Sequence, residues 1–433
     1  MRGTQADTDW LGRLPTSWRR TPLKHMTALV NGCAFKPEDW GEDGTPIIRI
    51  ENLNGSLSFN RTTRAVDRRY EVHRGDLLFG WSGNRGTSFG PFIWDPPAES
   101  ETGWLLNQHI FRLHGYQADR RWFYWVLRAA TSSIEEQTSG IIGMVHVTKE
   151  ELGNTRLPAV PLSDQRKIAR FLDRETARID ALITAKRRMI ELLEARWQTA
   201  MQLAVSGSLT RGGDFRAAQS PWLRAVPSHW REVKLTLVAR LGSGHTPSRQ
   251  HPEWWQDATI PWITTGEVSQ MRSDRIEFIT MTREMISDLG MANSSATLHP
   301  AGTVVLCRTA SAGYSAIMGV PMATSQDFAT WTCGPLLRPR FLLLCLRAMR
   351  QDLLGRLAMG STHQTIYMPD IEAIRIPLPP LQEQDQIVDE SYSVLGPIDA
   401  TTGRLHAQSD LLVERREALI TAAVTGEIGR AHV

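Results

Sequence analysis

Two stretches of this chain carry apolar residues at helical spacing over some forty positions each, and the remainder alternates in short runs. The first stretch extends from about Ser163 to Val205. Ile168, Leu172, Ile179, Leu182/Ile183, Met189/Ile190, Leu193, Trp197, Ala200 and Ala204 form a heptad-like stripe on it. Lys186 falls on the stripe but can extend its charge outward. Ser163 is placed to cap the helix N-terminus. At ~1.5 Å per residue such a helix measures roughly 60 Å. The second stretch extends from about Leu381 to Val424, with Ile387, Ile398, Leu405, Leu412 and Leu419 on its stripe. Gly396-Pro397 interrupts it, and a kink or break is expected there. Gly207 and Gly426 follow the two stretches, where a left-handed helix end favours glycine. Helices this long need a partner for their apolar face. The expectation is that the two pair antiparallel. The alternative is that each packs on its own globular domain.

Residues 10–155 and 222–375 read differently. Short apolar or alternating runs bounded by Gly and Asn turns predict strands in mixed units. These two regions resemble each other. Trp10, Pro15, Trp18 and Gly32 recur as Trp222, Pro227, Trp230 and Gly244, each pair 212 residues apart. TPIIRIENLNG, starting at Thr45, resembles IPWITTGEVS, starting at Ile260. GDLLFGWSGNRG from Gly75 pairs with GTVVLCRTASAG from Gly302, and NQHIFRL from Asn107 with SQDFATW from Ser325. RLPAVPLSDQRKI from Arg156 matches RIPLPPLQEQDQI from Arg375 at an offset of 219, which holds to VSGSL (205–209) and VTGEI (424–428). The chain is an internal duplication whose loops have drifted more than its scaffold.

Composition bounds the chemistry. The 433 residues suffice for two or three domains, and 41% hydrophobic with 22% charged residues is a folded composition. A net charge of +3 is too small to diagnose a nucleic-acid binder, so any such surface depends on local clustering. Cys33, Cys307, Cys333 and Cys345 form no metal-ligand spacing and read as free thiols in a reducing compartment. The most apolar run, Phe341 to Leu346, is too short for a bilayer, and a cytoplasmic location is expected. No phosphate-binding loop, nucleophile elbow, HExxH or deaminase motif occurs. Asp370 and Glu372, conceivable metal ligands, read as solvated surface ahead of a proline-rich connector.

The duplicated W-x-x-x-x-P-x-x-W start, the strand-and-turn after Gly75 and Gly302, and the connectors leading into long helices resemble the specificity subunit of type I restriction–modification systems. The most specific pieces are IPLPPLQEQDQI from Ile376, its degenerate twin from Leu157, and STHQTIYMPDI from Ser361. The first copy departs from the pattern at Ala159-Val160, where the second has Leu378-Pro379, and at Asp164, where the second has Glu383. The resemblance implies an α+β fold with two similar mixed target recognition domains, residues 1–155 and 210–374. Connectors with spacer helices, residues 156–209 and 375–433, would form an antiparallel coiled coil. It implies a non-catalytic subunit that binds an asymmetric, bipartite double-stranded DNA sequence. Two modification subunits using S-adenosylmethionine would methylate adenine, and restriction subunits using ATP and Mg would cleave; this subunit itself would carry no cofactor and no metal.

Reading bases calls for donors and acceptors on protruding turns. The candidates in the first half are Trp81, Ser82, Asn84 and Arg85 in the turn, with Gln108 and His109 from the repeated NQH/SQD motif. In the second half they are Arg308, Thr309 and Ser311, and the segment Ser361, Thr362, His363 and Gln364. Arg187, Arg188, Glu191 and Glu194 flank the first helical stripe and are either partner surface or a solvated face. Two other readings stay open: a DNA-binding enzyme with its own nuclease or methyltransferase site, and a scaffold that binds only protein.

Overall fold

The computed structural model describes residues 10–12, 14–96, 103–137, 144–208, 213–357 and 364–428. The chain divides into two compact units: Met1–Ala185 together with Gln408–Val433, and Lys186–Ala407. The fold is α+β.

The first unit holds β1 (Arg19–Pro22), β2 (Ala28–Asn31), β3 (Thr45–Ile48), β4 (Leu77–Gly80), β5 (Ser82–Asn84), β6 (Gly90–Ile93), β7 (Trp104–Leu106), β8 (Ile110–His114), β9 (Met144–His146) and β10 (Arg156–Ala159), with helix α1 (Arg120–Gln137) and the start of α2 (Leu162–Val205). Its main sheet has the order β2-β8-β4-β6, antiparallel throughout. The run Leu-Leu-Phe of β4 is continuously apolar because the strand is covered on both faces. Leu77 and Phe79 join Phe111, Trp122 and Phe123 in one core, while Leu78 joins Ile48, Trp104 and Ile110 in another. Successive side chains alternate between faces, so one strand feeds both cores.

The second unit holds β11 (Arg231–Lys234), β12 (Ala239–Ser243), β13 (Ile260–Ile263), β14 (Val304–Cys307), β15 (Ser315–Met318), β16 (Ala323–Thr324), β17 (Phe328–Cys333) and β18 (Arg375–Leu378), with α3 (Pro339–Ala348) and most of α4 (Leu381–Thr425). Its main sheet repeats the first: β12-β17-β14-β15, with the short strand Phe278–Ile279 added parallel at the edge. Val304 and Leu306 face one core, Val305 and Cys307 the other. Other pairings repeat as well. β3 runs parallel to β7 as β13 does to β16. β1 pairs with β10, setting Arg19 opposite Ala159, as β11 pairs with β18, setting Arg231 opposite Leu378. The repeated glycines explain themselves here. A Cβ on Gly32 would lie 2.0 Å from the Asn107 carbonyl oxygen, and one on Gly244 would lie 1.9 Å from that of Thr324.

The two long helices are antiparallel. In the first unit Ile168, Ala169 and Leu172 of α2 share a core with Ile420, Ala423 and Val424 of α4. In the second, Trp197, Met201 and Ala204 share one with Ile387, Val388 and Leu395. Early positions of one helix thus meet late positions of the other. Each helix segment also packs on the sheet-bearing part of its own unit, so the two expected arrangements coexist. The interruption expected at Gly396-Pro397 is not a break: α4 runs through Pro397. Proline removes a single N–H, and the buried Leu395 and Ile398 on either side anchor the backbone to the core. Leu182 and Met189, assigned to the apolar stripe of α2, are instead about half exposed, and Ile183 and Ile190 beside them carry the burial.

Candidate nucleic-acid interface

In the first unit β4 delivers the chain to Trp81, and three segments converge there. The Trp81 backbone N–H donates to the His109 carbonyl (3.3 Å), and its own carbonyl accepts from the Val147 N–H (3.0 Å). The indole Nε1–H donates to the Gln108 carbonyl at 2.9 Å and lies 3.3 Å from Asn31 Oδ1. The ring stacks on Phe111 (5.6 Å between centroids, 24°) and meets His146 edge-on at 4.6 Å. Trp81 is therefore fixed by its surroundings, and it fixes the loop between β7 and β8. Gln108 Nε2 and His109 Nε2 are 3.3 Å apart. Burial lowers the pKa of His109, with the nearby His146 and Arg49 adding to the effect. Arg49 itself lies over the Trp40 ring and donates to Asn60.

The second unit builds the same crossing with other side chains. The Arg308 backbone N–H donates to the Asp327 carbonyl (2.8 Å), and its carbonyl accepts from the Ile366 N–H (2.8 Å). Arg308 Nε donates to the Gln326 carbonyl at 3.0 Å. Thr309 pairs across to Thr365 as Ser82 in β5 pairs to His146 in β9. The Asp327 carboxylate accepts from the hydroxyls of Thr309 (2.6 Å) and Ser325 (3.0 Å). Gln326 is exposed, and its side-chain oxygen accepts from Thr246 at 2.6 Å.

Several sequence candidates are thus assembled into one place in each unit: Trp81, Ser82, Gln108 and His109 in the first; Arg308, Thr309 and, beside Thr365, the exposed Gln364 in the second. Ser311 closes the turn, its N–H donating to the Thr309 carbonyl. Asn84 is exposed at the end of β5, and its carbonyl accepts from Thr87, Ser88 and Phe89 N–H groups. Arg85 is exposed but reaches back to the Glu135 carbonyl of α1 at 3.1 Å. Ser361, Thr362 and His363 lie outside the described residues.

Sequence reading missed Arg49, His146, Gln326, Asp327 and Thr365 as members of these clusters. The signal existed for most of them. Extending the offset of 219 backward aligns MVHVTKEEL from Met144 with HQTIYMPDI from His363, which sets His146 against Thr365. Identity is so low there that only the buried Val147/Ile366 and Leu152/Ile371 positions speak for it. Gln326 and Asp327 stand in the SQD copy of a motif whose first copy alone was taken up. Among the described residues no group of three or more His, Cys, Asp or Glu is placed to hold a metal ion, and no helix is long and apolar enough to cross a membrane.

Comparison with known proteins adds the following. A family model described as type I restriction modification DNA specificity domain matches twice, at residues 15–192 and 227–408. The type I restriction enzyme EcoBI specificity subunit of Escherichia coli is 22% identical over 425 residues, covering 95% of this chain and 86% of that protein. Among solved structures, a chain from work on complex assembly and conformational transition of the type I R-M system superposes with a TM-score of 0.67 at 17% identity, covering 96% of this chain and all of the other. The HsdS subunit from Thermoanaerobacter tengcongensis superposes at 0.51, also with 17% identity, covering 96% and 98%. At these identities the superpositions speak for the fold.

Proposed function

The chain belongs to the type I restriction–modification DNA specificity family, and from that premise we propose that it is the non-catalytic subunit that chooses the DNA sequence for such a complex. The observation that carries this is the duplicated crossing. One backbone framework occurs twice, with Trp81, His109 and His146 in one copy and Arg308, Asp327 and Thr365 in the other. Two heads built alike but furnished differently suit a target with two unlike halves. Residues 1–155 and 210–374 are the target recognition domains in this reading. Residues 156–209 and 375–433 are the connectors with their spacer helices.

Two weak, short readings joined in one molecule act as one longer reading through effective concentration. Modification subunits carrying S-adenosylmethionine would methylate adenine within the bound sequence, and restriction subunits would use ATP and Mg to cleave DNA lacking the mark. In the second unit the half-exposed Met189 and Leu192 of α2 offer apolar surface for protein partners.

The test is to express the chain with its modification subunits and map every methylated adenine in the host DNA. Methylation confined to one asymmetric two-part sequence is expected. Methylation that follows no common sequence, or that persists when this chain is omitted, overturns the proposal.

A further inference from the structure

The repeated crossing can be compared position by position, because the same hydrogen bonds define it in both units. The residue after the central strand donates its backbone N–H to the second residue of a Gln-x pair: Trp81 to His109, Arg308 to Asp327. Its side-chain nitrogen donates to the carbonyl of the Gln: Trp81 Nε1 to Gln108, Arg308 Nε to Gln326. Its carbonyl accepts from Val147 in one unit and Ile366 in the other. An indole and a guanidinium thus make the same backbone-fixing bond. What stands around that bond differs at three positions. Gln108 and Gln326 are common to both frames. The variable positions are 81/308, 109/327 and 146/365.

We propose that these three pairs of equivalent positions are specificity-determining, and that Arg308 and Asp327 select the bases of the half-site read by the second unit. This rests on the DNA-reading function proposed above. Arg308 spends Nε on the framework and keeps its terminal amino groups as donors, which fit the O6 and N7 acceptors of guanine. Asp327 is an acceptor-only group. The hydroxyls of Thr309 and Ser325 occupy one site on each oxygen, and the remaining lone pairs suit the exocyclic amino group of cytosine or adenine. The second half-site therefore presents a guanine acceptor edge beside an amino donor, as a G·C pair does in the major groove. The first unit carries an indole and two imidazoles at these positions, with neither guanidinium nor carboxylate, and so reads a different half.

Randomised duplexes retained by the full chain assembled with its modification subunits, and then sequenced, give the test. The native chain must first enrich a two-part sequence; if it enriches none, the DNA-reading function itself fails. Given that sequence, Asp327→Asn replaces one acceptor oxygen with a donor. It should change base preference by about tenfold at one or two positions of one half, with the other half still enriched, which also reports that the protein is folded. His146→Gln, at an exposed position, should alter only the opposite half. An unchanged preference in both halves, or a uniform loss of retention across all sequences, overturns the inference and leaves these side chains with phosphate contact or a turn-holding role.

Discussion

His299 shows how a single buried group ties stability to pH. It is 4% exposed, its Nε2 has no partner among the described residues, and it exchanges backbone hydrogen bonds with Met322. Burial lowers its pKa, and Arg240 lowers it further, against a hydrogen bond with the Ser243 backbone. The folded protein therefore keeps this imidazole neutral at pH values where the unfolded chain already takes up a proton. The stability it contributes is complete above the ordinary histidine pKa of about 6.5 and is lost as pH falls from there through the lowered folded value. The unfolding midpoint of the native protein should drop on acidification below about pH 6.5, and His299→Gln should flatten that drop. Parallel curves for the two proteins would contradict the assignment. A second residue-scale contrast was half visible in the sequence. Glu383 accepts from Trp230 Nε1 at 2.8 Å and lies 3.1 Å from His229 Nε2. In the other copy Asp164 takes its place, and Trp18 Nε1 is buried without a partner among the described residues. The missing methylene can be read from the alignment of the repeats. Its consequence depends on reach, which only the seat of the tryptophan defines. Glu383→Ala should cost about 1–3 kcal/mol by orphaning a buried donor; a urea midpoint unchanged by that substitution would contradict the bond.

The long helices were legible almost to the residue, because a stripe at helical spacing and a following glycine agree locally; the cap expected at Ser163 is not one, since α2 begins at Leu162 and the Asp164 and Gln165 N–H groups donate to the Pro161 carbonyl. The glycines have a second reason that no local pattern holds. Gly207 and Gly426 adopt φ of +74° and +79°. A Cβ on Gly207 would sit 2.6 Å from Pro227 Cγ and 2.8 Å from the Trp230 ring, and one on Gly426 would sit 2.6 Å from Pro15 Cγ and 3.0 Å from the Trp18 ring. The repeated W-x-x-x-x-P-x-x-W start is thus, in part, a seat for the end of a long helix. For Gly426 that seat lies near the other terminus of the chain, which is why sequence marked the motif without explaining it. Either glycine replaced by alanine should lose about 1–2 kcal/mol to left-handed strain alone, and more from the clash with a ring that cannot swing away. A urea midpoint unchanged in Gly426→Ala would refute the seat. The sheets were less legible. The order β2-β8-β4-β6 joins strands far apart in sequence, and the short runs advertise their existence without their neighbours.

At the scale of the molecule, duplication and connection impose different constraints. The two sheet-bearing regions share a strand order although their offsets shift through insertions, whereas the connectors match at a fixed offset to the helix ends. Insertions are tolerated in the loops of the sheet-bearing regions and resisted where a helix must stay in register with its partner. Each long helix also belongs to both units: α2 passes from the first to the second at Ala185/Lys186, and α4 returns at Ala407/Gln408. A change of length in one helix alone would slide its stripe past the other and expose buried residues. A matched change in both, by a whole heptad, keeps every core position facing inward. Removing seven residues from each helix shortens it by about 10.5 Å, close to three base pairs at roughly 3.4 Å each. If the helices set the gap between the two halves of the target, the shortened protein should select a sequence with both halves unchanged and about three fewer unspecified base pairs between them. Sequencing the duplexes it retains decides the matter. Retention of the original gap by the shortened protein would mean that the helices hold the units together without measuring the DNA.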